Sequence, residues 1–341
     1  MVRTVNGDWL IRGRDGRLGV YTTRDDSVWC RAERHPGGDW LPWRRVGGEQ
    51  RLHPVLAVGR GADGYAHLVA WRPTTGDESG LVHSTHFRAH LAALDWIPIG
   101  HPDKKGPRTG RPAVAVDADG RAYVFVGNRG KGVHTVNQKV RGGWNAWHDL
   151  RGSKVHEELV AVTGESGLVE LYGTTPTGIV RWLQEEPGAR PVMADPLPVR
   201  IRPGTLAALP TSKEHTTLFY ADPDGTLYAW RPDADPVPLL AAAGPGPAAV
   251  LRCVLDGHDC TLLAQPSASG RVAFAAYPTE RESAGLWWTE SGPRLPAGTR
   301  VAVAEDAQGR VVAATVTPDG ELRVARQKDE PGLALSAWQT V

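Results

Sequence analysis

The chain has 341 residues, and its 39 Lys and Arg against 38 Asp and Glu leave a formal charge of +1, which supplies no basic field for a phosphate backbone and argues against nucleic acid as a partner. Its 41% apolar and 23% charged residues belong to a globular chain rather than a disordered one, and no stretch reaches the roughly 18 apolar residues of a spanning helix, so no membrane partner is expected. The N-terminal MVRTVNGDWLIRGRDG has no apolar segment before a small-residue cleavage site, which sets the expectation of a cytoplasmic protein without a classical signal peptide. Cys30, Cys253 and Cys260 are odd in number and lack C-x2-C spacing, so neither a disulfide framework nor a zinc site is indicated, although Cys253 and Cys260 could pair across a hairpin in an oxidising setting.

In chain order the apolar runs are short and β-rich: LGVYTT, VLAVGR, AVAVDA, AYVFVG, GLVELYG, TTLFYA, TLYAWR, VAFAAY, RVAVAED and RVVAATV. Each is bounded by Asp-Gly, Ser-Gly or a Pro-containing turn, and few windows carry a helical period. One turn recurs at Asp15-Gly16, Asp63-Gly64, Asp119-Gly120, Ser166-Gly167, Lys213-Glu214, Gly257-His258 and Gln308-Gly309. A second, about ten residues later, recurs at Asp25-Asp26, Thr75-Gly76, Arg129-Gly130, Thr177-Gly178, Asp224-Gly225, Ser269-Gly270 and Asp319-Gly320. The better units end on tryptophans: Trp40 and Trp43, Trp96, Trp144 and Trp147, Trp287 and Trp288, and Trp338. Units of roughly 40 to 50 residues with four short strands predict an all-β, seven-bladed β-propeller of four-stranded antiparallel blades. A single domain over 1–341 is expected, with blades at approximately 1–50, 51–106, 107–154, 155–205, 206–246, 247–298 and 299–341. WLIRGR and LSAWQTV each read as a strand of their own blade, so closure is expected to rest on packing of blade 7 against blade 1 rather than on an exchanged strand.

Blade 3 reads RPAVAVDADGRAYVFVGNRGKGVHTVNQKVRGGWNAWHDLRGS, with a P-A-V-A strand, a D-G-R turn and a W-x-x-W ending. Blade 1 repeats this through Asp15-Gly-Arg-Leu-Gly-Val-Tyr21, Val28-Trp29 and Trp40-Leu-Pro-Trp43 to Gly47-Gly48, and blade 2 through His53-Pro-Val-Leu-Ala-Val58, Val82-His83 and Trp96 to Gly100. The pattern closely resembles the repeat of the PLL-like lectins, seven-bladed propellers that bind fucose and related sugars. Blades 4 to 7 keep the turns but lose most Trp pairs. At the third-strand His of the family stand Cys30, His83, His134, Arg181, Ala229, Phe274 and Val324, so any sugar pockets are expected to be few and confined to blades 1 to 3.

A pyranose needs an aromatic face for its apolar side and a few fixed polar groups for its hydroxyls, and the candidates for ligand binding are Trp29, Trp40, Trp43, His83, His134, Trp144 and Trp147. Periodic aromatics also serve as inter-blade packing. The alternative to a fucose-like sugar-binding or small-ligand-binding propeller is an enzyme, an acid/base catalyst in small-molecule biosynthesis, at the mouth of the central channel. Residues preceding the inner strands would ring that mouth: Asp8, His53, Arg111, His156, Glu157, Glu158 and Arg300, with Arg12 and Arg252 able to point into the channel. His53 or His156 would be the general base, Arg111 and Arg300 would bind an anionic group, and Glu157 would orient a His. No cofactor or metal is expected: residues three apart on a strand, such as His83 and His86, face opposite ways, His86 and His90 are expected on an insertion at the outer side of blade 2, and Asp117-Ala-Asp119 is a hairpin turn rather than a calcium loop. An oligomer is possible and not derivable from the sequence.

Overall fold

The structure, a computed structural model, describes residues 7–61, 63–232 and 234–341. Seven four-stranded antiparallel sheets follow one another along the chain, and together they form a seven-bladed β-propeller. The innermost strands are Leu10–Arg12, Leu56–Arg60, Ala113–Val116, Leu159–Thr163, Ala207–Pro210, Ala249–Leu255 and Arg300–Glu305. Each sheet takes its four strands from consecutive sequence, and among the described residues the helical content is one 3-10 turn, Glu282–Ala284.

All fourteen turns of the two series connect the strands expected of them. Asp25 and Asp26 show why Gly is not obligatory there: both hold positive φ, 49° and 52°, which a short polar side chain tolerates. The apolar runs are explained by where the cores lie. Seven hydrophobic clusters are present, and each draws its residues from two neighbouring sheets. In Ala122–Gly127, for instance, Tyr123 and Phe125 join the cluster shared with blade 4, whereas Val124 and Val126 join the one shared with blade 2. Side chains alternate across a strand, so a sheet clamped between two others must be apolar on both faces.

Two repeated side-chain devices hold the blades. At the end of the third strand Gln138, Gln184 and Gln327 accept the backbone N–H of Ala122, Val169 and Val311 at 3.1, 2.9 and 3.0 Å, which ties each strand back to the start of its neighbour. Between blades, the indole N–H groups of Trp96, Trp147 and Trp182 donate to the carbonyls of Val46, Ile99 and Leu150, each at 2.9 Å, and Trp338 donates to Ser291 Oγ at 3.2 Å. The glycine beside the acceptor lets the ring approach: a Cβ on Gly47 would lie 2.5 Å from Trp96. This is the physical content of the tryptophan and Gly-Gly endings seen in the sequence.

Closure of the ring uses more than packing. Where blades 3, 4 and 7 carry Gln, blade 1 carries Glu33, which is fully buried, accepts the N–H of Leu18 at 2.9 Å and forms an ion pair with Arg326 of blade 7. Gly7 N donates to Val301 O at 2.9 Å and Arg12 Nη1 to Asp306 O at 2.8 Å across the same seam. Among the described residues no strand is shared between blades 7 and 1, and a buried charge pair takes the place of the neutral amide.

The segment after His86 departs from its expected place on the outside of blade 2. It is a wedge against blade 1: Arg44 donates to the carbonyls of Ala89, Leu91 and His90, and the His90 ring lies 2.9 Å from Arg17 and 3.2 Å from Asp15. His86 itself is buried beside Tyr21 at 3.0 Å, while His83 faces blade 3, so the two rings lie on opposite faces of their strand. Cys253 and Cys260 stand directly opposite each other in one hairpin as free thiols.

Candidate functional site

Residues entering the inner strands converge on an axial chamber of about 560 Å³. Asp8, Arg111, Glu158 and Arg300 line it, together with Trp9. Asp8 is open to the chamber yet encased by the surrounding ring, and that burial pushes its carboxyl up to about 6. Arg300 is pushed down to about 10, first by burial and then by the neighbouring charge of Arg111. Its guanidinium lies over the Trp9 ring at 5.5 Å and donates to Thr22 Oγ1.

His53, His156 and Glu157 are absent from the chamber wall. The His53 ring meets Ser79 Oγ at 3.0 Å and the His156 ring meets Thr174 Oγ1 at 2.8 Å, because both residues already pair their backbone N–H with the second strand of their own blade, to Trp71 O and Thr174 O. Strand alternation then turns the rings away from the axis. Glu157 is exposed, and the partner of the neighbouring His156 is a hydroxyl, not its carboxylate. At the far end of the channel Arg12 lines a second cavity of about 310 Å³ with Arg60 and Glu305, whereas Arg252 is held by Asp259 at 2.8 Å and by Glu165.

The seven aromatic and histidine candidates do not converge. Trp29 is sandwiched by the guanidiniums of Arg24 and Arg45, at 4.2 and 5.3 Å from its ring, and its N–H donates to Arg24 O. Trp40 and Trp43 pack on the core between blades 7 and 1, and Trp43 also borders the side of the axial chamber. Trp147 is the inter-blade donor already described. His134 is held by Asn128 at 3.0 Å. His83 and Trp144 do meet, edge to face at 5.0 Å, but His83 is only 1% exposed and its Nε2 reaches His67 Nδ1 at 3.1 Å. Burial pushes His67 down to about 4 and His83 to about 3, so both rings are neutral packing groups at neutral pH.

An uncovered aromatic stands instead in a cleft of about 400 Å³ between blades 5 and 6. Trp288, on Trp287–Ser291, is 64% exposed and forms one wall, with Phe274, Leu240 and Ala243 as apolar floor. Its cross-strand partner is Ala275, too small to cover an indole. Glu290, two residues on and therefore on the same face, accepts a hydrogen bond from Ser269 Oγ at 2.8 Å, and Ser267 lies 2.7 Å from Ser269. Those hydroxyls hold the Glu290 carboxyl below the usual carboxylate range. The cleft thus offers an aromatic face, an ionised acceptor and two hydroxyls. The sequence carried the signal: Trp287 and Trp288 are adjacent, and two adjacent strand residues cannot both enter one inter-blade core.

The sequence matches no family model and no curated protein. Among solved structures, the BP39L lectin from Burkholderia pseudomallei is similar with a TM-score of 0.73 at 17% identity, over 98% of this chain and 100% of that one. AofleA from Arthrobotrys oligospora gives 0.53 at 9% identity over 99% and 95%, and the Aleuria aurantia lectin AAL, in complex with Fucα1-6GlcNAc, gives 0.52 at 12% over 85% and 97%. At these identities the likeness is one of fold, and two of the three neighbours are lectins by name, as are the PLL-like propellers that the repeats of blades 1 and 3 resemble.

Proposed function

We propose that this propeller binds carbohydrate, and that the cleft between blades 5 and 6 holds the sugar. The observation that carries the reading is the indole of Trp288, open to solvent beside a carboxylate fixed by two serines. Stacking on Trp288 would take the apolar face of a pyranose, Glu290 would accept from its hydroxyls, and the floor of Phe274 and Leu240 suits a deoxy position such as the methyl of a fucose-like sugar. Lectins among the fold neighbours support the class of ligand.

A glycan array followed by fluorescence titration with L-fucose tests it. Binding is expected to weaken by at least roughly tenfold, about 1.4 kcal/mol, in Trp288→Ala. Trp144→Ala should lower stability and leave affinity unchanged. Absence of binding to any glycan, or binding indifferent to Trp288→Ala, would overturn the reading. A second reading, an acid/base catalyst in the axial chamber, is favoured by the raised carboxyl of Asp8, which then replaces His53 and His156 as the proton-transfer group. Turnover lost in Asp8→Asn and kept in Trp288→Ala would support it.

A further inference from the structure

The axial chamber is lined by one indole N–H without a hydrogen-bond partner among the described residues and by an arginine whose bond there is to a hydroxyl. Trp9 is 4% exposed, forms part of the chamber wall, and its indole N–H has no hydrogen-bond partner among the described residues. Leaving such a donor buried and unmade costs about 1–3 kcal/mol. Above the same ring lies the Arg300 guanidinium, which bonds only the neutral Thr22 hydroxyl and makes no ion pair with a carboxylate among the described residues. The charge it senses is another cation, Arg111, from across the channel. A largely buried guanidinium with a like charge as its neighbour is costly unless an anion joins it.

We propose that the axial chamber is a binding site for the oxyanion of a small molecule, a carboxylate or a phosphate, held by the Arg300 fork and the Trp9 N–H. The planar guanidinium presents two parallel donors suited to either group, and charge-assisted hydrogen bonds of this kind are the strong ones. The volume of about 560 Å³ leaves room for a body attached to the anion. Asp8 is no competitor, since its carboxyl responds to burial and to its own backbone rather than to either arginine. The site is separate from the Trp288 cleft and does not depend on sugar binding there.

Calorimetric titration of the whole protein at constant ionic strength, with inorganic phosphate, acetate and succinate against chloride as control, tests the proposal. At least one oxyanion is expected to bind saturably with a dissociation constant at or below the millimolar range while chloride does not. The tighter of phosphate and the carboxylates identifies the head group. Arg300→Met should abolish binding and Trp9→Phe should weaken it severalfold, with Trp288→Ala unchanged. Thermal shift on the same variants guards against misfolding: added oxyanion should raise the Tm of the wild type and of Trp288→Ala but not of Arg300→Met. No saturable oxyanion binding, or an Arg300→Met protein that retains it, would sink the proposal.

Discussion

Glu33 makes the seam between blades 7 and 1 testable. One of its oxygens accepts the N–H of Leu18 at 2.9 Å and of Gly37 at 3.2 Å, and the other meets Arg326. Glu33→Ala strands two backbone donors, and it leaves Arg326, whose side chain is 19% exposed, facing Asp306 at 3.6 Å. Removing one member of a buried pair costs about 3–5 kcal/mol. Asp306 compensates part of the charge but is itself engaged by Arg310 at 2.8 Å, so a loss of about 4 kcal/mol is expected. Glu33→Gln should cost about 2 kcal/mol, because an amide at this position makes the same backbone bond that Gln138, Gln184 and Gln327 make. Adding Arg326→Met to Glu33→Gln should bring stability back to within about 1 kcal/mol of the wild type, since the stranded cation is gone. Urea unfolding followed by the fluorescence of the 13 tryptophans reads these four proteins and the Arg326→Met single variant. An alanine variant within about 1 kcal/mol of wild type, or a double variant no better than the sum of the singles, would refute the account of the seam.

The neutral pair His67 and His83 makes stability fall in acid. Their folded values of about 4 and about 3 lie below the ordinary 6.5, so the unfolded chain takes up protons first as pH drops below 6.5, and stability present above that pH is lost on the way to about 4. The loss at pH 5 is about 2 kcal/mol per ring, and a His83→Leu protein whose denaturation midpoint shows the same pH slope would contradict it. Trp182→Phe should cost about 1–2 kcal/mol in urea unfolding, because the buried Leu150 carbonyl loses its donor. Gly59→Ala should cost about 2 kcal/mol or more, since a Cβ there would sit 2.7 Å from Val114 O and force the inner strands of blades 2 and 3 apart; unchanged thermal unfolding would contradict that.

The fold was legible because its signals are local. Asp25-Asp26 or Asp119-Gly120 specifies a turn from two residues, and the recurrence of two turn series sets the blade count before any contact is known. Side-chain partnership was not legible. Trp147 and Trp288 are the same residue type at the outer edge of a blade, yet one is roofed by Gly100 and Ile99 of the preceding blade and the other faces Ala275 and open solvent. Spacing cannot separate them, because the difference lies in what the neighbouring blade presents. His53 and His156 were correctly placed ahead of their inner strands, but whether a ring faces the axis depends on a one-residue register that the backbone pairing to Trp71 and Thr174 decides. The wedge after His86 was misread for a related reason: its length marks it as an insertion, while its direction is set by Arg44 on another blade.

Placing every hydrophobic cluster between sheets has a consequence for how the molecule comes apart. A linear stack of repeats has end units with one neighbour each, and it can fray from there. A ring has no such units: deleting or opening any blade uncovers two apolar faces at once. Partial unfolding is therefore penalised twice at every position, and the molecule should resist piecemeal loss until one interface yields. The interface that carries the Glu33–Arg326 ion pair is where heat, acid or a protease would first find purchase.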